Sequence, residues 1–376
     1  MDHTPLFLPR RQADRLLEAL RCDGYGRVLA PVARDGTVVL APIQNWEDLP
    51  AGVRDEQAPG HYRLVPGEDH RCFAWANGPQ GLKPLTFAPR EVMWQARRDE
   101  DGSLSFDPPS SPTPEATAVI GARPCDLAAL ALQERHFLHG RFPDPAFRAR
   151  REALFLVAVA CTHPADTCFC AATGDGPGLP RQGFDLGLTE LEDGYLVRAG
   201  SDRGRHVLQA LDLAPAGKAR QRQARAAIAR AAKTQTRTLP GRQLQADLYA
   251  RLEADHWAAV GRRCLSCGNC TAVCPTCFCH MEMDEPTLDG RDSTHLRQWS
   301  SCFNAEHSFM GHFVVRHDTR LRYRQWLTHK LASWHEQYGR SGCVGCGRCI
   351  TWCPVGIDLT AETAALLAEA PHGTAS

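Results

Sequence analysis

The sequence predicts an α+β, multidomain chain, and three observations predict it. Strand signals crowd residues 1–115, strand–turn–helix and helix patterns fill 116–260, and one cysteine spacing occurs twice within 261–376. A length of 376 residues leaves room for two or three domains.

Taken in order, residues 1–115 read as a β-rich lobe behind a short helix at 11–21. Residues 26–42 form two strands around an Asp35-Gly36 turn. The run 107–114, rich in proline and serine, is a loop or linker. An α/β cysteine-bearing domain follows over 116–215, with a strand at 116–120, a turn through 121–126 and a helix from Leu127 to Phe137 capped by Asp126. Residues 152–160 are a buried strand ending at Cys161, and 185–198 a hairpin around Asp193-Gly194. A helical connector spans 216–260. Its first part, 218–237, carries seven basic residues and no acidic one, which suits a solvated face or a docking face for an acidic partner. A second helix, 241–260, leads into the cysteine-rich segment 261–376, which ends in a short capped helix at 358–369.

Composition excludes several functions. Basic and acidic residues balance at 43 each, so no net field draws the chain to nucleic acid or anionic lipid. The longest uninterrupted apolar run, 153–161, has nine residues, against roughly 20 for a bilayer span. The N-terminus lacks the pattern of a secretory signal. We therefore expect a soluble, cytoplasmic protein with no membrane span and no nucleic-acid partner. In a reducing compartment, 17 cysteines point to metal rather than to disulfides.

The repeated spacing is Cys264-x2-Cys267-x2-Cys270-x3-Cys274-Pro275 and, 79 residues later, Cys343-x2-Cys346-x2-Cys349-x3-Cys353-Pro354. Three thiols at successive threes lie along one side of a tight turn and suit three irons of one cubane. In two-cluster ferredoxins the fourth cysteine binds the other cluster. The expected sets are therefore Cys264, Cys267, Cys270 and Cys353 for one 4Fe-4S cluster, and Cys343, Cys346, Cys349 and Cys274 for the other. Zinc sites usually pair two Cys-x2-Cys units instead. The module is ferredoxin-like and two-cluster, with a long insertion over 275–342 that carries His295, His307, His312, His317, His329 and His335 and looks helical from Ala305 onwards.

Other thiols are less determined. Cys125, Cys161, Cys168 and Cys170 number enough for a third 4Fe-4S cluster; a zinc site or unrelated buried cysteines fit as well. Cys277, Cys279 and Cys302 supply either a shell around a cluster or packing, and Cys22 and Cys72 are read as packing. The glycine-rich 173–178 segment lacks nucleotide-binding spacing and reads as a tight loop. No Walker lysine, G-x-S-x-G or H-E-x-x-H motif occurs.

Five segments in order, GARPCDLAAL (121–130), CTHPADTCFC (161–170), CLSCGNCTAVCPTCFC (264–279), RQWSSCF (297–303) and CVGCGRCITWCPVGID (343–358), resemble the β subunit of sulfhydrogenase-type nickel-iron hydrogenases. They are also similar to the iron–sulfur, electron-input component of anaerobic sulfite reductase. APGHYRL (58–64) and GPQGLKPLTFAPRE (78–91) extend the likeness to most of the chain. One departure is AATGDGPG after TCFC, where the family carries a Ser-Met-Gly-like run.

The resemblance implies an iron–sulfur electron-transfer subunit between a flavin/NAD(P)H-binding subunit and a catalytic metalloprotein subunit, with flavin not expected on this chain. Three alternatives stand beside it: the electron-input subunit of an anaerobic sulfite reductase, a flavin-bearing reductase, and a zinc-bound structural module.

Overall fold

The computed structural model describes residues 4–108, 113–241 and 243–371. The first part of the chain supplies strand β1 (Leu6–Pro9), hairpin β2 (Arg27–Arg34) and β3 (Thr37–Pro42), hairpin β4 (Val53–Ala58) and β5 (His61–Pro66), and the pair β6 (Arg90–Arg98) and β7 (Leu104–Asp107). Then come β8 (Thr117–Ala122), β9 (Leu154–Val159), β10 (Leu186–Glu190) and β11 (Gly194–Ala199), and later β12 (His280–Pro286) and β13 (Asp292–Trp299).

Seven strands make the main sheet in the order β1-β11-β10-β9-β8-β2-β3. Its middle, β2-β8-β9-β10, is parallel, and antiparallel strands flank it. Every residue of β8 and β9 is buried, which explains why they read as unbroken apolar runs rather than alternating ones. Between β2 and β3, Asp35 and Gly36 both take positive φ, 49° and 73°, as a two-residue hairpin turn requires.

The boundary expected at residue 115 runs through this sheet. β1, β2 and β3 belong to it together with β8–β11, because a hairpin alone cannot bury two apolar faces. Helix Asp14–Cys22 covers one face with Leu16, Leu17 and Leu20, packed with Val28, Ile120 and Phe155. Leu127, Leu130 and Phe137 cover the other, against Val119 and Leu156. Cys22 is exposed rather than packed, while Cys72 lies in the core.

Three further expectations are corrected. The helix after β8 starts at Pro124 and not at Leu127. Proline is at home at the first helical position, where its missing N–H costs nothing. Arg123 is therefore the N-cap residue, and Asp126, one turn in, accepts the Arg123 N–H at 3.3 Å. The helix expected over 241–260, whose residue 242 lies outside the described residues, is two helices, Leu244–Tyr249 and His256–Arg263. The break follows from tertiary packing: the buried Trp257 indole N–H donates to the Arg251 carbonyl at 2.7 Å.

The insertion is α-helical only from Thr319 onwards, as Thr319–Thr328 and Trp334–Tyr338 joined by the π-helical stretch His329–Ser333, and a single 3-10 turn, Glu306–Ser308, precedes them. Its first half is the β12/β13 hairpin, which joins β6 and β7 in a four-stranded antiparallel sheet, β12-β13-β6-β7. His295 stacks there on Trp94 at 4.5 Å. Of the linker 107–114, residues 109–112 lie outside the described residues.

Candidate metal centres

Both cysteine motifs fold into the same loop. Ser266 and Gly345, each just before the second cysteine, have φ of 51° and 63°. Gly268 and Gly347, each just after it, have φ of 77° and 76° and open the short helices Asn269–Ala272 and Arg348–Thr351. Left-handed residues at these points turn successive amides inward, an arrangement that suits anionic sulfur. The Ser266 N–H points at Cys264 Sγ and the Gly345 N–H at Cys343 Sγ, each at 3.5 Å, and the Ile357 N–H meets Cys353 Sγ at 3.3 Å.

Cys264, Cys267, Cys270, Cys349 and Cys353 line one cavity of about 450 Å³, walled by Phe303, Tyr323, Trp326 and Ile357. The third and last cysteines of the second motif therefore share a chamber with the first three of the first. Cys274 lies within electrostatic reach of the second trio, and of Cys270 in the first. Burial first, and then the neighbouring Cys343, Cys346 and Cys274, push the Cys349 thiol well up. Cys274 is likewise among the thiols acting on Cys343 and Cys346.

The donor set fits cubanes in a second respect. Lys330 is buried, and its ammonium donates to Cys274 Sγ at 3.3 Å, Thr276 Oγ1 at 3.1 Å and Cys277 Sγ at 3.5 Å. Burial alone would lower its pKa; the thiols Cys274 and Cys277 outweigh that and raise it. A buried cation whose acceptors are sulfurs and one hydroxyl needs negative charge on the sulfurs. Thiolates bound to a cluster would supply it.

Residues 263–357 match the family described as the 4Fe-4S dicluster domain. This segment is a 4Fe-4S dicluster domain. Beyond it, the chain is 29% identical over 285 residues to sulfhydrogenase 2 subunit beta of Pyrococcus furiosus, covering 73% of this chain and 79% of that one. The resemblance to sulfhydrogenase β subunits thus holds across most of the chain. No solved structure matches.

The fold lays the central thiols against the second loop of the dicluster domain. The Phe169 N–H donates to the Gly345 carbonyl at 2.8 Å. A Cβ on Gly347 would lie 2.6 Å from the Thr167 carbonyl oxygen, so glycine is required there by contact as well as by φ. Cys125 and Cys170 pack with Cys346, Val344 and Trp334. Cys168 Sγ lies 3.8 Å from the Cys346 carbonyl, and Asn77 Nδ2 donates to that carbonyl at 2.9 Å. Cys161 Sγ sits 3.5 Å from the His163 carbonyl. Burial is the main influence on all four and raises their pKa, Cys170 to about 12.

A buried guanidinium stands beside them. Arg123 stacks over Trp75 at 4.2 Å and donates through Nη2 to the Phe73 and Trp75 carbonyls, yet its Nε and Nη1 have no hydrogen-bond partner. Its charge acts on Cys161. Orphaned donors on a buried cation fit an anionic group among these thiols.

Lys330, Arg123 and Asn77 escape a reading of the sequence, since each acts on groups distant in the chain and no spacing marks them. Cys277, Cys279 and Cys302 are visible in the sequence but fall in no motif. With His307, Arg316, His329 and Lys330 they line a second cavity of about 550 Å³. Contact with Cys302, ahead of the effect of His307, lowers the Cys279 thiol.

Proposed function

We propose that this chain is the iron–sulfur electron-transfer subunit of a cytoplasmic, sulfhydrogenase-like hydrogenase, set between a flavin/NAD(P)H-binding subunit and a catalytic metal subunit. The observation that carries the reading is Cys353 lining one cavity with Cys264, Cys267 and Cys270, the crossed arrangement of a two-cluster relay. Cys264, Cys267, Cys270 and Cys353 hold one cluster, and Cys343, Cys346, Cys349 and Cys274 the other. When bound, each cubane takes up and returns a single electron. The chain's part is to hold these groups close together, keep water out with Phe303, Tyr323 and Trp326, and set their charge through N–H···S contacts and Lys330.

Cys125, Cys161, Cys168 and Cys170 hold a third cluster, with Arg123 as its buried counter-charge. The orphaned Arg123 donors support this assignment. Among the described residues no helix is long and apolar enough to cross a membrane. The likeness to a sulfhydrogenase β subunit favours the hydrogenase context over sulfite reductase.

The test is anaerobic purification with iron and sulfide analysis, followed by stopped-flow reduction. About eight iron per chain is expected from the dicluster pair, and about twelve with the central site. NAD(P)H alone should leave the isolated chain oxidised, and a flavin-bearing partner should restore reduction. Rapid bleaching by NAD(P)H without a partner would make the chain a reductase itself. Stoichiometric zinc with little iron would remove the relay reading altogether.

A further inference from the structure

We propose that Cys277, Cys279 and Cys302, with His307, hold a further iron–sulfur cluster beside the dicluster pair. The hairpin β12/β13 builds the site. Cys277 and Cys279 enter it, Cys302 leaves it, and the ladder between His280 and Trp299 continues into a bond from the Ser300 N–H to the Cys279 carbonyl at 3.0 Å. Thiols that are 23 and 25 positions apart in sequence are thereby fixed around one void.

Size and spacing select a cluster over a single ion. The cavity of about 550 Å³ is comparable with the one of about 450 Å³ lined by Cys264, Cys267, Cys270 and Cys353. Among the described residues no three His, Cys, Asp or Glu side chains converge closely enough for one ion. Cys279 touches Cys302 and Cys277 touches Cys274, so the donors sit as two contacts on the rim of the void and not as three at one point.

Charge agrees. Lys330 donates to Cys277 from one wall, and Arg316, in the same wall set, has a buried Nε without a hydrogen-bond partner. Two cations around three thiols suit an anionic occupant.

The fourth ligand follows from the imidazoles. His329 already accepts the Trp334 indole N–H at Nε2, 3.2 Å away. His307 has Nδ1 at 3.5 Å from Ser300 Oγ and its ring also meets the Cys279 thiol, so a hydroxyl orients the imidazole against the thiols, as a ligating histidine requires. Lys330, shared by Cys274 and Cys277, places the site next to the second dicluster cubane. The inference deepens the electron-transfer reading by adding a station, but it stands on metal content and not on electron flow.

The experiment reconstitutes the full-length chain anaerobically with ferrous iron and sulfide, and compares it with the triple variant Cys277→Ser/Cys279→Ser/Cys302→Ser. The variant should lose about four iron and about four sulfide per chain and one reduced-state EPR signal, while the signals that depend on Cys264 and Cys343 persist. Loss of those signals with this one intact would instead count against the relay reading. A folded triple variant with unchanged iron and sulfide overturns the site. So does a wild-type intact mass lacking two hydrogens, with Cys279 and Cys302 disulfide-linked at full iron content. If the triple variant is insoluble, Cys302→Ser alone decides: an unaltered iron content and EPR spectrum in that folded variant refutes the proposal.

Discussion

Arg348 and Asp126 form an ion pair of 2.7 Å with almost no solvent exposure on either side chain. Arg348 lies between two cysteines of the second motif and Asp126 follows Cys125, so the pair locks the dicluster domain to the central thiols. Arg348 Nε also donates to the Gly78 carbonyl at 2.9 Å. Removing one partner of such a pair strands a buried charge, at a cost of about 3–5 kcal/mol. Asp126→Ala should therefore lower the denaturant midpoint substantially and perturb the signal of the cluster assigned to Cys343, Cys346 and Cys349. A midpoint within error of wild type would show that Arg348 finds water or another partner.

Glycine at position 347 faces two demands, and a second glycine separates them. Gly290 has φ of 67° and nothing within 4 Å of an added Cβ, whereas Gly347 has φ of 76° and the Thr167 carbonyl at 2.6 Å. Gly290→Ala should cost about 1–2 kcal/mol, the left-handed penalty alone. Gly347→Ala should cost clearly more and reduce iron retention, because the 167–170 segment must retreat. Equal unfolding midpoints for the two variants would mean the segment moves freely.

Crossing of the fourth ligand is separable by spectroscopy. Cys274→Ala should damage the cluster assigned to Cys343, Cys346 and Cys349 and leave the one assigned to Cys264, Cys267 and Cys270, since Cys274 Sγ accepts from Lys330 and its charge acts on all three thiols of the second trio. Single-cluster EPR of Cys274→Ala beside Cys264→Ala checks it. Identical losses in the two variants would mean uncrossed ligation.

What could be read from the sequence was local. The Asp35-Gly36 turn, the apolar runs of β8 and β9 and the two cysteine spacings each carry their signal within a few residues. β6 pairing with β13 did not show, because Arg90 meets Gln298 across some 200 residues and neither segment marks its partner. The break at Arg251 depended on a tryptophan six positions on. Lys330 was invisible for the same reason: its acceptors at Cys274 and Cys277 lie more than 50 residues upstream. The chemistry of the thiols was legible, while the charges that balance them were products of the fold.

Stability should also carry a pH signature from the insertion hairpin. His295 on β13 lies 2.7 Å from Asp284 on β12 and 3.5 Å from Glu282. The hydrogen bond to Asp284 leads a set of influences that raise the His295 pKa, against a smaller opposing effect of burial. Trp94, stacked on the ring, further suits the imidazolium. A histidine whose pKa is higher folded than unfolded binds its proton more tightly in the native state. Its contribution is complete below the unfolded value near 6.5 and disappears as pH rises through the folded value. The wild-type chain should therefore lose a small increment of thermal stability on going from mildly acidic to mildly alkaline buffer, and His295→Gln should lose less over the same interval. NMR titration of the His295 ring gives the folded pKa directly. A value at or below that of a free histidine, or parallel melting profiles for the two proteins, would show that the Asp284 contact does not hold in solution.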